Sequence, residues 1–403
     1  MTRTLLTGGR VFDGTGAAPG EADVLVEDGR ILQVGPGLDG DEAVDVGGRC
    51  LLPGLFDCHT HVTLTNINLL GIIQAPFSYR FFETVKNLAA TLAAGITMVR
   101  DAAGADAGVK KAVADGLVPG PRLQISVTLL SQTGGHGDGW FPSGQVVEFW
   151  PPYPGMPDGL VDGPEAMRRK VRELIRAGAD VIKVATSGGV LSPTDDPSHA
   201  HFRDDELTAL VAEAAAAGRW VMAHAQASDG IKAAVRAGIR SVEHGIYLDD
   251  EAIELMLARG AWLVPTLVAP RGVLAAAEAG VPIPDAARRK AVEVSEAHAD
   301  SFRRAVAAGV KVAMGTDSGV TPHGRNLAEL ALMAKGGMEP AQALAAASSS
   351  AAELLGVADE LGTLEPGKRA DVVVVDGDPF ELATLGDRIA AVVKDGRLVA
   401  GHM

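Results

Sequence analysis

The feature that most constrains this chain is a strand-then-helix alternation that runs through its middle. Eight short apolar segments of strand character are separated by stretches whose apolar residues mostly recur with helical spacing. The strand segments are LLPGLFDCHTH, GITMVRDAA, PRLQISVTL, DVIKVATSG, WVMAHAQ, SVEHGIY, WLVPTLV and KVAMGTDSG. Such alternation indicates parallel strands joined by crossover helices, and eight units favour an α/β fold of the closed (β/α)8 TIM-barrel type over an open doubly wound sheet.

The two ends of the chain share a different pattern, made of short strands and Gly-containing turns. The N-terminal segment ADVLVEDGRILQVG and the C-terminal segment IAAVVKDGRLVAG are alike in this respect. Because the ends of a domain commonly lie close together, we expect one small β-sandwich domain built from residues 1–53 and 360–403. Residues 54–359 would then form the barrel, and the 403-residue length accommodates both.

Composition excludes several classes of partner. The net charge is −15, with 36 Lys and Arg against 51 Asp and Glu, and no basic run offsets it. This balance argues against sequence-independent binding to nucleic acid or to anionic membranes. No signal-peptide pattern and no apolar run of membrane-spanning length is present, so a cytoplasmic location is expected. Two cysteines, Cys50 and Cys58, fit a reducing compartment, and two buried thiols are favoured over a bridge between them.

One connection is unusually long for a compact domain. After the third strand segment comes SQTGGHGDGWFPSGQVVEFWPPYPGMPDGLVDGP, which is rich in Gly and Pro and contains Trp140 and Trp150. Loops of this length are functional or disordered in most cases, and the aromatic residues favour an ordered cover for an active site. The alternative is a surface excursion without a role.

Polar residues recur where the apolar strand segments end. His59 and His61 are two apart at the end of the first segment, so both side chains can project from one face. His224, His244 and Asp317 end the fifth, sixth and eighth segments. Since the active site of a (β/α)8 barrel lies at the carboxyl ends of its strands, these side chains are expected to converge. Four imidazoles and a carboxylate suit zinc or a similar divalent metal.

Lys183 raises a separate question, because it lies inside the apolar fourth segment. Its ammonium could form a buried salt bridge with Asp317 or another acid, and its amine could instead form a Schiff base. A third possibility is reaction of the neutral amine with carbon dioxide to give a carbamate, an anion able to bridge two metals. The neighbouring metal-type ligands favour the carbamate, since a Schiff-base enzyme does not need them.

These residues resemble the amidohydrolase superfamily over nearly the whole chain. LLPGLFDCHTHV is similar to its first-strand motif, and LGTLEPGKRADVVVVDGDP to its return to the small β domain. SQTGGHGD, IKVATSGGVLSPTD, AHAQ, SVEHG and GTDSG resemble the branch of imidazolonepropionase-like hydrolases and Xaa-Pro dipeptidases.

The resemblance implies a role for each position that matches the family's motifs. His59, His61 and Asp317 would hold the more buried of two metal ions, expected to be zinc, and His224 with His244 the more exposed one. Carboxylated Lys183 would bridge the two ions. Asp317 would also act as general base toward the metal-bridging water and later protonate the leaving amine. His136 and Tyr247 would polarise the scissile carbonyl or stabilise its oxyanion.

Substrate contacts are less constrained by spacing. A substrate carboxylate would need a cation, and the candidates are Arg100, Arg203 and Arg325, each of which could equally be a surface or salt-bridge arginine. Three further histidines follow the fourth and eighth segments and could line the pocket: His199, His201 and His323.

The leading hypothesis is therefore a binuclear metal-dependent hydrolase of amide bonds in a small-molecule or dipeptide substrate. An Xaa-Pro dipeptidase and an N-acyl amino acid hydrolase are the favoured activities, and family resemblance implies a homo-oligomer. Lactone or ester hydrolysis is an alternative, as is a mononuclear deaminase or imidazolonepropionase. Deaminases of the superfamily carry a glutamate where this chain has Ala227. A non-enzymatic relic with partner-binding function would be expected to have lost ligands.

Overall fold

The computed structural model describes residues 2–192 and 195–403. The N-terminal segment forms short strands, as its turn pattern predicts. They are β1 (Thr4–Thr7), β2 (Arg10–Val11), β3 (Gly20–Glu21), β4 (Asp23–Glu27), β5 (Arg30–Gly35), β6 (Glu42–Asp45) and β7 (Cys50–Pro53). The C-terminal segment adds β17 (Val372–Val375), β18 (Ile389–Lys394) and β19 (Arg397–Gly401).

These terminal strands form two sheets that share one hydrophobic core. One sheet has the order β5-β4-β1-β6, and the other has the order β19-β18-β17-β7-β2-β3. β17 pairs with both β18 and β7, so the two ends of the chain meet inside the second sheet. Leu6 and Val24 of the first sheet pack in the same cluster as Val372 and Val374 of the second. We call these two sheets the terminal layer.

The middle of the chain forms parallel strands, here called the parallel layer. They are β8 (Leu55–Thr60), β9 (Ile96–Asp101), β10 (Arg122–Ile125), β11 (Leu129–Leu130), β12 (Val181–Ala185), β13 (Trp220–Ala225), β14 (Ser241–His244), β15 (Trp262–Val264) and β16 (Lys311–Val312). Each of the eight predicted strand segments contains one of them, and β11 is an additional short strand. β10-β9-β8 form one sheet, and β11 to β16 follow chain order in another.

Hydrogen bonds connect these two parallel sheets at both of their borders. The Asp180 N–H, just before β12, donates to the Ile125 carbonyl of β10 at 2.8 Å. On the other side, the Cys58 N–H of β8 donates to the Met314 carbonyl, just after β16, at 2.8 Å. Cys58, like Cys50, is a buried free thiol.

Helices occupy most of the connections between the parallel strands, and the last three α-helices follow the last of these strands. They are α1 (Leu69–Gln74), α2 (Tyr79–Ala93), α3 (Ala107–Ala114), α4 (Pro164–Arg176), α5 (Asp204–Ala216), α6 (Ser228–Ala237), α7 (Asp250–Arg259), α8 (Val268–Glu278), α9 (Asp285–Ala308), α10 (Ala328–Lys335), α11 (Pro340–Ala346) and α12 (Ser349–Leu355). A 3-10 helix covers Leu382–Arg388. Asp249 caps α7 by accepting from the Ala252 N–H. In the described part of the chain, no helix combines the length and apolarity that crossing a bilayer requires.

Candidate metal centre

The predicted metal ligands lie at the carboxyl ends of the parallel strands and line one cavity. His59 belongs to β8, Lys183 to β12, His224 to β13 and His244 to β14. His61 directly follows β8, and Asp317 lies five residues after β16. All six side chains line a cavity of about 370 Å³. The convergence expected from the strand ends is therefore present.

Short distances join the members of this group. Lys183 Nζ lies 3.3 Å from His59 Nε2. Asp317 Oδ1 lies 3.2 Å from His61 Nε2 and 3.7 Å from His59 Nε2. Ligand atoms of His59, His244 and Asp317 all lie within 4.8 Å of one another. A set of nitrogen and carboxylate donors this compact fits a divalent metal of the zinc type.

Each of the four histidines has one ring nitrogen hydrogen-bonded to a group outside the set of predicted ligands. The pairs are His59 Nδ1 with Glu243 Oε2 at 2.7 Å, His61 Nδ1 with the Ala103 carbonyl at 2.9 Å, His224 Nε2 with the Gly188 carbonyl at 3.0 Å and His244 Nδ1 with Thr266 Oγ1 at 2.7 Å. Metal-binding histidines are oriented in this way. The hydrogen bond at one ring nitrogen fixes the orientation of the ring, and the other ring nitrogen is left as a metal ligand. All four rings therefore fit a metal-binding role.

The backbone at two of these positions adopts an uncommon conformation. His244 has φ 72° and Asp317 has φ 59°, in the left-handed region that residues other than glycine rarely occupy. The Asp317 conformation is held by its N–H, which donates to the His59 carbonyl at 2.7 Å. Such outliers cluster at functional sites, where the surrounding fold holds a side chain in a required direction.

Burial sets the protonation of the group. It lowers the pKa of His59, His224 and His244 well below the usual range, which keeps these imidazoles neutral as ligands must be. Burial also lowers the pKa of Lys183 to about 8, although Glu243 and Asp317 oppose the shift. Burial alone would raise the pKa of Asp317, but the hydrogen bond from His61 and nearby positive charge hold it below its usual range.

Arg100 lies behind this group and does not line the cavity. Its side chain is 3% exposed, and its guanidinium donates to the Cys58 carbonyl, Ser241 Oγ and Glu243 Oε1. The donors of Arg100 have partners inside the protein, so the structure does not direct them at the cavity. Arg100 instead holds Glu243, which in turn holds His59.

Three other predicted substrate contacts, Arg203, Arg325 and Tyr247, are not among the described lining residues of the cavity either. Arg325 is largely exposed and pairs with Asp387 on the surface, and Arg203 is exposed at the start of α5. Tyr247 is half-buried against a hydrophobic cluster and is not among the described lining residues, so its contact with the scissile carbonyl stays a prediction. Among the described lining residues there is likewise no contribution from His199, His201 or His323.

His136 does reach the cavity, as predicted. Its ring stacks on His224 with the centroids 4.0 Å apart. His136 Nδ1 lies 3.1 Å from Ser192 Oγ and 3.5 Å from Asp195 Oδ2. Because these groups engage Nδ1, the Nε2 atom of His136 remains for contact with a bound molecule.

The long loop between β11 and α4 also contributes to the cavity wall, in agreement with its predicted role as an ordered cover. Residues 136–139, 141–142 and 147–150 line the cavity. Trp150 stacks on His61 with centroids 4.7 Å apart, and its Nε1–H donates to Thr63 Oγ1 at 3.1 Å. The loop thus contacts a predicted metal ligand directly.

Three residues near the centre had no role assigned from the sequence: Glu243, Gln226 and His298. Glu243 carries the same signal as Lys183, because it is a charge inside an apolar strand. Gln226 follows His224 by two positions and lines the cavity. His298 lies in α9, where its Nε2 bonds the His244 carbonyl at 3.0 Å. No local pattern indicates that α9 reaches the centre.

Comparison with known proteins agrees with this geometry. Residues 50–399 match the amidohydrolase family. The ochratoxinase of Aspergillus niger is 37% identical over 368 residues, covering 87% of this chain and 76% of that enzyme. The crystal structure of a prolidase complexed with N-methylphosphonate-L-proline superposes with a TM-score of 0.91 at 37% identity, covering 100% of both chains. A Xaa-Pro dipeptidase structure with bound methionine has a TM-score of 0.89 at 31% identity, covering 98% of this chain and 99% of that one.

Proposed function

The chain belongs to the amidohydrolase family of amide-bond hydrolases, and from that premise we propose that it is a binuclear metal-dependent enzyme acting on small amide or peptide substrates. The favoured activities are those of an Xaa-Pro dipeptidase or an N-acyl amino acid hydrolase. Similarity to a prolidase and a Xaa-Pro dipeptidase supports the first. Similarity to an ochratoxinase is consistent with a wider range of amides.

One observation carries the proposal. Four imidazoles, each held by the protein at one ring nitrogen, face the same cavity as Asp317 and Lys183. A structural role for four such buried histidines would not require each of them to keep one nitrogen directed at a common space. A metal centre does require it.

We assign two divalent metal ions, expected to be zinc, to the four histidines, Asp317 and Lys183. His59, His61 and Asp317 would hold the more buried ion, and His224 with His244 the other. Lys183 would hold both ions as a carbamate. The uncharged amine adds to carbon dioxide through a new N–C bond and releases one proton to solvent, which gives an anionic ligand where a buried ammonium would repel cations. Bound divalent metals lower the pKa of water and polarise a carbonyl oxygen.

The residues of the chain would perform the remaining steps. Asp317 is the one carboxylate in the ligand group, so it is placed to accept a proton from the attacking water and to return it to the leaving nitrogen. His136 would donate from Nε2 to the oxygen that gains negative charge, while its Nδ1 stays engaged by Ser192 and Asp195. Trp150 would limit the access of water to His61.

We further propose that the parallel layer is one closed (β/α)8 barrel. The hydrogen bonds at both borders between its two sheets support closure. The terminal layer would form a small β-sandwich domain from residues 1–53 and 360–403, which the core shared by its two sheets supports. A homo-oligomer is also proposed, and exposed apolar side chains of Leu70, Ile73, Phe77 and Phe82 support it.

A centre with one metal is the second candidate, and one observation favours it. His59, His244 and Asp317 form a compact group that could hold a single ion without Lys183. That arrangement would suit a deaminase or an imidazolonepropionase-type hydrolase of cyclic amides. Ala227, at the position where the deaminases carry a glutamate, argues against the deaminase.

Metal analysis coupled to a substrate screen tests the proposal. Protein prepared with zinc is expected to contain two ions per chain and to hydrolyse at least one member of a panel of Xaa-Pro, Xaa-Arg, hydrophobic dipeptides and N-acyl amino acids. Cyclic amides are assayed beside this panel, and one ion per chain together with turnover of the cyclic amides alone would support the second candidate. No bound metal and no turnover would contradict both.

A further inference from the structure

We propose that Lys290 of α9 is a positioning residue, which holds the loop after β12 in the conformation that directs His136 toward the proposed metal centre. This inference rests on the proposed function and deepens it, because it names a residue on which the contribution of His136 depends. Lys290 is not among the described lining residues of the cavity, so it would act through the loop and not on the substrate. We call residues 189–192 and 195 the β12 loop.

The ammonium of Lys290 lies among carbonyl groups of the β12 loop. Its Nζ donates to the carbonyl of Asp195 at 2.6 Å, to that of Gly189 at 3.1 Å and to that of Ser192 at 3.2 Å. The Lys290 side chain is 16% exposed, and its Nζ also lies 3.4 Å from Asp195 Oδ1. Because an ammonium has three donors and no acceptor, three converging carbonyl oxygens match it well. Lys290 therefore joins α9 to three positions of the β12 loop.

The same loop holds the Nδ1 side of the His136 ring. Asp195 Oδ2 lies 3.5 Å from His136 Nδ1 and accepts from the Gly189 N–H at 3.0 Å. Ser192 Oγ lies 3.1 Å from the same ring nitrogen and donates to Asp195 Oδ1. Burial alone would raise the pKa of Asp195, but the contact with His136 and the nearby ammonium lower it to about 2, so the carboxylate stays charged. The partners of the Lys290 ammonium are thus also the partners of His136.

Gly189 shows how closely the backbone of the β12 loop approaches the ring. A Cβ atom at this position would lie 2.2 Å from His136 Cε1 and 2.4 Å from His136 Nδ1. A residue without a side chain is therefore required there. The His136 ring also stacks on His224, with the centroids 4.0 Å apart. Movement of the loop would change the position of His136 directly.

Loss of the Lys290 ammonium would have a defined consequence. Three loop carbonyls would lose a donor, and the buried carboxylate of Asp195 would lose a nearby positive charge. Polar groups left in this state are costly, so the loop is expected to adopt other conformations. A donor that stabilises developing charge works only when it is held in place, so a misplaced His136 should lower kcat more than it weakens substrate binding.

Lys290→Met tests this dependence, because it removes the ammonium and keeps an unbranched side chain. Zinc-loaded protein is assayed with the panel member that the wild type hydrolyses with the highest kcat/KM. We expect kcat to fall about 10- to 100-fold and KM to change by less than about threefold. Lys111→Met is the matched control, since Lys111 is an exposed lysine of α3 paired with Asp115, and its kcat should be unchanged. Unchanged kcat in Lys290→Met would overturn the proposal.

A double-mutant cycle shows whether Lys290 acts through His136. In the His136→Ala enzyme, Lys290→Met should lower kcat by less than about threefold, because the ring that it positions is absent. Gly189→Ala, which displaces the ring and leaves the ammonium in place, should behave like Lys290→Met in both backgrounds. Equal fold losses with and without His136 would overturn the inference, since a residue that only stabilises the fold acts independently of that ring.

A crystal structure of zinc-loaded Lys290→Met separates this inference from the function on which it rests. We expect the His136 ring to leave its stack on His224 while both zinc ions stay bound. A ring that keeps its place, or loss of zinc, would overturn the positioning of His136 by Lys290. If the metal-loaded wild type hydrolyses no amide in the panel, the proposed function fails, and the position of the ring in the variant still decides the inference. Lys290→Gln, a milder neutral replacement, takes the place of Lys290→Met in each measurement if the latter does not fold.

Discussion

Lys183 is the residue at which burial and charge conflict most directly. Its side chain is 2% exposed, and its amine lies 3.3 Å from His59 Nε2, a nitrogen assigned here to a metal. An ammonium at this place would oppose cation binding, whereas a carbamate would promote it. Because the pKa of Lys183 is lowered to about 8, about a tenth of the amine is uncharged at neutral pH, far more than for an ordinary lysine, and this fraction can react with carbon dioxide.

Replacing Lys183 with alanine is expected to remove most of the bound metal and to lower kcat at least about 100-fold. The loss should be this large because a metal ligand is removed, whereas loss of a residue that only orients a ligand costs about 10- to 100-fold. Short carboxylates such as formate should restore part of both, because they can occupy the space of the carbamate. Metal content and turnover with and without added formate measure this. Full turnover by the Lys183→Ala variant would contradict the proposal that Lys183 bridges two metal ions.

Asp317→Asn tests the general base separately from metal binding. The asparagine keeps one oxygen ligand and the backbone position, so at least part of the metal should remain. Hydrolysis should fall about 10²- to 10⁴-fold, the range for loss of a positioned proton acceptor. The measurement is kcat together with metal per chain, and full activity with bound metal is the result that would remove Asp317 from this role.

Among the secondary-structure elements, the carboxyl ends of the parallel strands carry most of the side chains of the site, and the helices support these strands. The alternation of segments predicted every parallel strand that carries a ligand, because apolar runs with a terminal polar residue are easy to recognise in sequence. Glu243 could have been recognised in the same way. Contacts between distant elements could not, and the reach of His298 from α9 to the His244 carbonyl is an example.

Arg100 and Tyr247 show why the direction of a side chain is hard to predict from sequence. Arg100 was predicted to face the site because it ends an apolar strand segment, but its side chain turns toward Glu243. Tyr247 packs against apolar neighbours. The direction of a side chain depends on which partner lies behind the strand, and that partner comes from a segment far away in sequence.

The long loop between β11 and α4 gives a prediction at this scale. Trp150→Ala should lower kcat/KM about 10-fold, because it removes the ring stacked on His61 and opens the cavity to water. Trp140→Ala is the matched control: Trp140 belongs to the same loop but is 47% exposed. We expect its kcat/KM to stay within about twofold of the wild type. Equal losses in both variants would show that the loop acts only through its general stability.

At the level of the whole molecule, an ion pair with a buried carboxylate connects the terminal layer to the parallel layer. Arg122 of β10 pairs with Asp371, which directly precedes β17 and is 3% exposed. Asp371 also accepts from the Asp395 N–H at 3.0 Å, so it connects three segments. The layers would therefore be expected to unfold together.

Asp371→Ala is expected to lower the free energy of unfolding by about 2–3 kcal/mol, somewhat less than the loss of a fully buried pair, because Arg122 keeps Asp395 as a partner. Kcat should be unchanged, since no ligand is touched. Urea denaturation of the metal-loaded protein measures the change. Asp41→Ala, in the exposed pair with Arg3, is the control, and its effect on the free energy of unfolding should be much smaller, because solvent screens an exposed ion pair. Similar losses in the two variants would contradict the fastening role of Asp371.

We propose that Lys183 joins two metal ions as a carbamate, and the decisive measurement is a crystal structure of the zinc-loaded protein with anomalous data. We expect two anomalous peaks in the cavity, with density for a carbon and two oxygens extending from Lys183 Nζ between them. One peak beside His59, His244 and Asp317, with a bare amine at Lys183, would contradict it.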